Sequence, residues 1–292
     1  MNIFLSGTED HFIRCLEVLW SLRLHVKGHI RAWILTDGKA GIDTHLTGSD
    51  IDLQIIDAAD VDLDKSKLIP VSQKVLTKMA YGRLFMPQIL PADVSRCLYL
   101  DSDTIVCKDK IQDFYDTQFD GYAACCRDRS IELFAPQELA RTQVSKYFNS
   151  GVMVMDIDKI RKDCLDKTFL DMFFDPPEWL AKDGCYCDQT ILNYAFKEQV
   201  KFMDPCYNVQ SIMFGYPQYT DYIKEFGYDS QESLVKQAVI SHAQGSAKPW
   251  NFEQFLHWQQ WQLGYRIWQF DVWNFTRKSL LQAYPYLKHY YS

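Results

Sequence analysis

Apolar residues first gather at 2–5 (NIFL), a short run that fits a buried strand. Ile13, Leu16, Leu19, Trp20 and Leu24 then recur at helical spacing, with Asp10 placed to cap the helix. Strands are predicted at 30–36 (IRAWILT), ended by the turn pair Asp37-Gly38, and at 52–57 (DLQIID). The pattern over 74–90 is helical, with Thr77 as cap and Pro87 as an interruption. Two more strands follow at 96–100 (RCLYL) and 121–126 (GYAACC). An apolar run at 147–155, interrupted by Asn149-Ser150-Gly151, feeds a helix near 157–171. A last helix is predicted over 188–198, with Asp188 at its start where the macrodipole favours an acid. Strand and helix alternating at this spacing imply crossover connections: an α/β fold with a mostly parallel central sheet and helices on both faces.

The pattern changes near residue 251, where Trp250, Phe252, Phe255, Trp258, Trp261, Tyr265, Trp268, Phe270, Trp273 and Phe275 crowd one span. The expected organisation is one domain over 1–250 and a helical, aromatic and basic appendage over 251–292. Its first part is expected to pack on the core. In 271–292, Arg277, Lys278, Lys288 and His289 lie among aromatics, a mixture that suits a membrane interface.

Composition narrows the classes. Hydrophobic residues at 47% and charged residues at 24% are those of an ordinary globular chain, and a net charge of −7 argues against a nucleic-acid partner. The start MNIFLSGTED lacks the basic and apolar regions of a secretory signal, so a cytoplasmic location is expected. Nine scattered cysteines, with an adjacent pair (Cys125, Cys126) and one C-x-C (Cys185, Cys187), fit buried, reduced thiols better than zinc or disulfides.

Candidate chemistry begins at RCLYLDSDTIVCKD, residues 96–109. Asp101 and Asp103, one residue apart at a strand end, can aim both carboxylates at one point, and such a pair repels unless a cation stands between. A divalent metal suits it, and the ends of strands are where α/β sheets bind ligands. A surface turn is the simpler explanation of Asp-Ser-Asp. A third is a phosphatase of the haloacid-dehalogenase type, whose strand ends D-x-D-x-T; Asp101-Ser102-Asp103-Thr104 resembles it, with Asp101 as nucleophile. That motif ordinarily closes the first core strand, whereas here about four elements precede it.

A second motif, ISHAQGSAKPW at 240–250, separates these alternatives. His242 can ligate a metal, Gly245 allows close backbone approach, and Lys248 offers a cation to phosphate. LYLDSD together with HAQGSAKPW resembles glycosyltransferase family 8, which includes bacterial lipooligosaccharide galactosyltransferases and glycogenin. The resemblance covers roughly residues 1–250, with Tyr81-Gly82-Arg83-Leu84, Tyr147-Phe148-Asn149-Ser150-Gly151 and Asp188-Gln189 in order.

Membership would imply a GT-A fold, a Mn2+ site (Mg2+ as the alternative) and transfer of galactose or glucose from a UDP-sugar to a saccharide or glycoprotein acceptor, with retention. Carried over, Asp101, Asp103 and His242 would hold the metal, Arg83 and Ser102 the donor, and Lys248 with the Gly245 backbone the diphosphate. Asn149 and Asp188 would bind the donor sugar, and Gln189 would lie beneath the anomeric carbon. A carboxamide is a poor nucleophile, which favours same-face attack, with Asp188 as the alternative nucleophile. One departure concerns the base: this sequence has Thr8 where the family's A-x-D-x-x-Y pattern places its uracil-reading acid, so Thr8, Glu9 or Asp10 would take that role. A catalytically inactive sugar-nucleotide-binding relative is the remaining alternative.

Overall fold

The computed structural model describes residues 1–38, 46, 49–61, 78–182, 187–245, 248–251 and 263–291. Thr77, Cys185 with residues 183–186, and the aromatic residues of 252–262 lie outside the described residues.

A seven-stranded sheet organises the chain in the order β3-β2-β1-β4-β7-β6-β8. Its strands are β1 (Asn2–Ser6), β2 (Ile30–Thr36), β3 (Ile51–Asp57), β4 (Arg96–Leu100), β6 (Ala123–Arg127), β7 (Phe148–Asp156) and β8 (Val200–Phe202). Only β7 runs antiparallel to its neighbours β4 and β6 among these strands. A smaller sheet, β5-β10-β9, joins β5 (Thr104–Val106), β10 (Ile240–His242) and β9 (Val209–Gln210).

Side chains alternate across the large sheet into two cores. Ile3, Leu5, Leu98, Leu100, Val152 and Val154 face one layer. Phe4, Cys97, Tyr99, Met153 and Met155 face the other, with Phe169, Phe173 and Phe196 from helices Leu165–Phe174 and Cys187–Phe196. Burial on both sides is why these strands read as continuous apolar runs. Buried Cys15, Cys97, Cys125, Cys126 and Cys206 are free thiols, as expected, and desolvation pushes the Cys15 thiol up to about 12.

Local details differ from the sequence pattern. Asp10 does not cap the first helix: a 3-10 turn spans Glu9–His11 and helix Phe12–His25 starts after it without a side-chain cap. Asp37 accepts from the Glu9 backbone N–H at 2.7 Å and so fixes that turn instead. Pro87 does not interrupt a helix but sits in the first turn of Met86–Ile89, where its missing N–H costs nothing. Asn149-Ser150-Gly151 does not break its run; β7 continues through it.

The C-terminal helix Leu263–Ala283 packs on the first of these cores through Tyr265 and Leu280, and the segment after it through Tyr284 and Leu287. Trp273 Nε1, Arg277 Nε and Tyr291 Oη all donate to Glu17 of the Phe12–His25 helix, at 2.6, 2.8 and 2.8 Å. Residues that had pointed to a membrane face are thus partly used inside, while Phe275, Lys278, Lys288 and His289 remain exposed. No described helix is long and apolar enough to cross a membrane.

Candidate active site

Strand β4 ends at Leu100, and Asp101-Ser102-Asp103 is a tight turn that hands the chain to β5 in the smaller sheet. The Thr104 backbone N–H and Oγ1 both donate to the Asp101 carbonyl, at 3.1 and 2.8 Å. The turn and the candidate metal clamp are therefore one structure. β10 lies antiparallel to β5 with His242 opposite Thr104, which brings the imidazole over the turn. Its Nε2 is 3.2 Å from Asp103 Oδ1 and 3.7 Å from Asp101 Oδ2.

Potential ligand atoms of Asp101, Asp103 and His242 all lie within 4.8 Å of one another. Gly151 makes this approach possible: a Cβ there would come within 2.4 Å of Asp101 Oδ2 and 2.5 Å of His242 Cε1. Two carboxylates and one imidazole form a hard, mixed O/N donor set that fits Mn2+ or Mg2+. The residues present fit the divalent ion that the sequence led one to expect.

Charges around the turn are paired in series. Arg83, nearly buried, donates to Asp101 Oδ1 at 2.6 Å, to the Ser150 carbonyl at 2.5 Å, and reaches Asp188 Oδ2 from Nε at 3.0 Å. Its guanidinium stacks on Tyr99, whose hydroxyl also donates to Asp101 Oδ1 at 2.8 Å. Burial opposes the guanidinium charge, but Asp101 and Asp188 more than offset it and hold its pKa above the usual range. Lys248 Nζ pairs with Asp103 Oδ2 and donates to the Ala243 carbonyl at 2.9 Å. Burial alone would raise the Asp103 pKa; Lys248 and His242 together depress it well below the usual carboxylate range. For Asp188 burial wins: its pKa rises to about 6 despite Arg83, with Asp101 adding to the rise. Three carboxylates against Arg83 and Lys248 leave the site one negative charge in excess. A dication would reverse that sign and suit the site to an anionic ligand.

Other sequence candidates fall into two groups. Asn149, Asp188 and Gln189 join the site: Gln189 Oε1 accepts from the Ser150 N–H at 3.0 Å, and Ser150 Oγ donates to Asp188 Oδ2 at 2.9 Å. Asp188 lies in the first turn of its helix with its carboxylate spent on these contacts. Ser102 is half-exposed at the turn, and Gly245 has a positive φ of 95° with no atom near its missing Cβ, so it serves the chain reversal before Lys248. Thr8 Oγ1 bonds His11 Nδ1 at 2.9 Å, and His11 contacts Trp250 edge-on, which sets that segment beside the Lys248 loop. Asp10 is exposed and outside this cluster.

Sequence reasoning missed Asp128 and Asn208. Asp128 Oδ2 accepts from Gln189 Nε2 at 3.1 Å and from Asn149 Nδ2 at 3.2 Å; Asn208 Oδ1 meets His242 Nδ1 at 2.9 Å. A signal existed for the first, since Asp128 follows apolar β6 as Asp101 follows β4.

A sequence model of glycosyl transferase family 8 matches residues 2–254. The chain belongs to that family. It is 26% identical over 200 residues to a lipopolysaccharide 1,3-galactosyltransferase of Salmonella typhimurium, covering 65% of this chain and 54% of the relative. General stress protein A of Bacillus subtilis is 27% identical over 184 residues, 62% of either chain. The chain thus spans little more than half the length of such relatives. Among solved structures, the galactosyltransferase LgtC in complex with donor and acceptor sugar analogs superposes with a TM-score of 0.68 at 20% identity, over 94% of this chain and 95% of that one. The fold is of the GT-A type. Family membership removes the phosphatase reading of Asp101.

Proposed function

We propose that this glycosyl transferase family 8 chain moves a hexose, galactose or glucose, from a UDP-sugar to a saccharide or glycoprotein acceptor in cell-surface glycan synthesis, with anomeric retention. The observation that carries the reading is the convergence of Asp101, Asp103 and His242 between two cations, Arg83 and Lys248, with Gln189 anchored alongside. The similarity to lipopolysaccharide galactosyl- and glucosyltransferases supports the same class.

Asp101, Asp103 and His242 Nε2 would hold the Mn2+, which when bound supplies charge to the diphosphate leaving group. Lys248, at the edge of the same cluster, adds a cation for the β-phosphate as its charge develops. Arg83 holds Asp101 and Asp188 in place through its contacts to both carboxylates. Gln189, held by the Ser150 N–H and Asp128, presents an amide rather than a nucleophile, and Asp188 Oδ2 is tied to Arg83 and Ser150. These contacts support attack from the leaving-group face, where the departing phosphate takes the acceptor's proton. Thr8, paired with His11, is proposed to face the base.

The test is a donor screen with UDP-galactose, UDP-glucose and their N-acetyl forms in the presence of Mn2+, scoring UDP release with and without saccharide acceptors. One hexose donor should be hydrolysed slowly without acceptor, and Asp103→Ala should lower the rate about 10²–10³-fold. UDP-sugar binding by calorimetry with no turnover on any acceptor would instead favour the inactive relative. Full activity of Asp103→Ala with metal chelated would refute the mechanism.

A further inference from the structure

His242 has two ring nitrogens, and only one can face the carboxylate pair as a bare ligand atom. Which one is bare depends on what the other meets. Nδ1 meets Asn208 Oδ1 at 2.9 Å, Asn208 Nδ2 donates to Asn149 Oδ1 at 2.9 Å, and Asn149 Nδ2 donates to Asp128 Oδ2 at 3.2 Å. Asp128 and Asn208 are 0% exposed, His242 2% and Asn149 3%, so bulk solvent does not reach this chain.

The polarity of the chain is forced from its far end. A carboxylate only accepts, so Asn149 must turn its NH2 to Asp128 and its carbonyl to Asn208. The Gly151 N–H, donating to the same Asn149 Oδ1 at 3.1 Å, repeats that constraint. Asn208 then spends its NH2 on Asn149 and has only a carbonyl left for His242, so Nδ1 must carry the proton. Flipping the amides would put a carbonyl against Asp128 and orphan the buried Gly151 N–H, and both are unfavourable. The backbone supplies the spacing: Asn208 directly precedes β9, which lies parallel to β10 with Gln210 beside His242.

We propose that Asp128, Asn149 and Asn208 act as a positioning relay that fixes His242 as the Nδ1–H tautomer, so that Nε2 is the nitrogen offered to the divalent cation. The inference rests on the metal reading above and goes beyond it by bringing in Asp128 and Asn208, to which that reading gives no role, and by giving Asn149 a second one. Asp128 also holds Gln189 Nε2, so one buried carboxylate orients both the metal's imidazole and the amide at the reaction centre. Its other oxygen, Oδ1, caps helix Arg129–Phe134 by accepting from the Ser130 and Ile131 N–H groups.

That cap makes Asp128→Asn a pointed test. Asparagine caps helices as well as aspartate, and its carbonyl would stay with the helix, which places its NH2 where Oδ2 now accepts. The volume is unchanged, yet the direction of every bond out to His242 is opposed. Mn2+ binding measured by calorimetry should weaken about 10–100-fold in Asp128→Asn and in Asn208→Ala, as for other residues that orient a ligand from behind. Independently of any variant, NMR of the wild type loaded with diamagnetic Cd2+ and labelled with 15N-histidine should find the His242 proton on Nδ1. A proton on Nε2, or wild-type Mn2+ affinity in both folded variants, would overturn the relay alone. Failure of the wild type to bind any divalent cation would overturn the metal reading and the relay together.

Discussion

Glu17 and Asp128 are both wholly buried carboxylates with every approach occupied, yet their partners differ in kind. Glu17 accepts from Arg14, Arg277, the Trp273 indole and the Tyr291 hydroxyl, two cations and two neutral donors. Asp128 accepts from two side-chain amides, a serine and helix N–H groups, all neutral. A buried charge met by cations fastens elements together, here the Phe12–His25 helix to the C-terminal segment. A buried charge met by neutral dipoles orients them, since each amide must turn its NH2 inward. One region uses the carboxylate for attachment, the other for direction.

The largest expected effect breaks the attachment. Glu17→Ala removes the anion between Arg14 and Arg277 and should cost about 3–5 kcal/mol, as breaking a buried ion pair does. At about 2 °C per kcal/mol for a chain of this size, thermal melting should drop by roughly 6–10 °C, with Mn2+ affinity of the folded protein unchanged. An unchanged melting temperature would show that the C-terminal segment is not fastened there. The same contact means that removal of 271–292 would strand Glu17, so truncation cannot separate tail function from folding.

The next effect is electrostatic and belongs to the site. The folded pKa of Asp188, about 6, lies above its unfolded value. Its contribution to stability is therefore complete below about pH 4 and is lost as the pH rises through 6. Asp188→Asn cannot ionise. In metal-free protein, wild-type stability relative to this variant should fall by about 3 kcal/mol between pH 4 and 7, read from denaturant melts. A difference that stays flat over that range would mean that Arg83 outweighs the burial.

Much of the frame was legible because buried strands declare themselves as apolar runs bounded by turns. The candidate metal triad was legible because Asp101, Asp103 and His242 each stand at the end of such a run. Asp128 and Asn208 were not, since Asn208 acquires meaning only from the β9–β10 register, and Asp128 only when the Cys187–Phe196 helix brings Gln189 to it. The tail was only partly legible for a related reason. Composition shows aromatic and basic residues but not which way they turn, and Glu17, a lone acid among Leu16, Val18 and Leu19, was the unremarked sign that cations would be drawn inward. The Asp10 cap failed because Asp10 lies inside a 3-10 turn, Glu9–His11, that precedes the helix and is tied at its start by Asp37, distant in sequence.

A smaller perturbation probes how closely the site is packed. In Gly151→Ala the added methyl meets Asp101 Oδ2 and His242 Cε1, the sides of two ligands. Overpacking of this sort costs about 1–3 kcal/mol in stability, and the displaced ligands should weaken Mn2+ binding about 10-fold or more. Unlike Asp128→Asn, it acts by volume rather than polarity, so the His242 proton should remain on Nδ1 in the Cd2+ complex. If Gly151→Ala moved that proton, the tautomer would be set by crowding at the metal rather than by the relay behind it.

The smallest effect on stability falls on the outer side of the C-terminal helix. Phe275 is 68% exposed, one helical turn from Asp271 and beside exposed Lys278, while Trp273 two residues earlier is buried on Glu17. Phe275→Asp should leave stability within about 0.5 kcal/mol of wild type, because no buried group loses a partner. The substitution therefore isolates the membrane-interface contact expected of 271–292 from the helix's structural role. A phenylalanine inserted at an interface contributes about 1.5–3 kcal/mol, so co-sedimentation with anionic vesicles should fall about tenfold or more if that face binds lipid. Equal co-sedimentation of wild type and variant would leave the C-terminal helix with one role, attachment through Glu17.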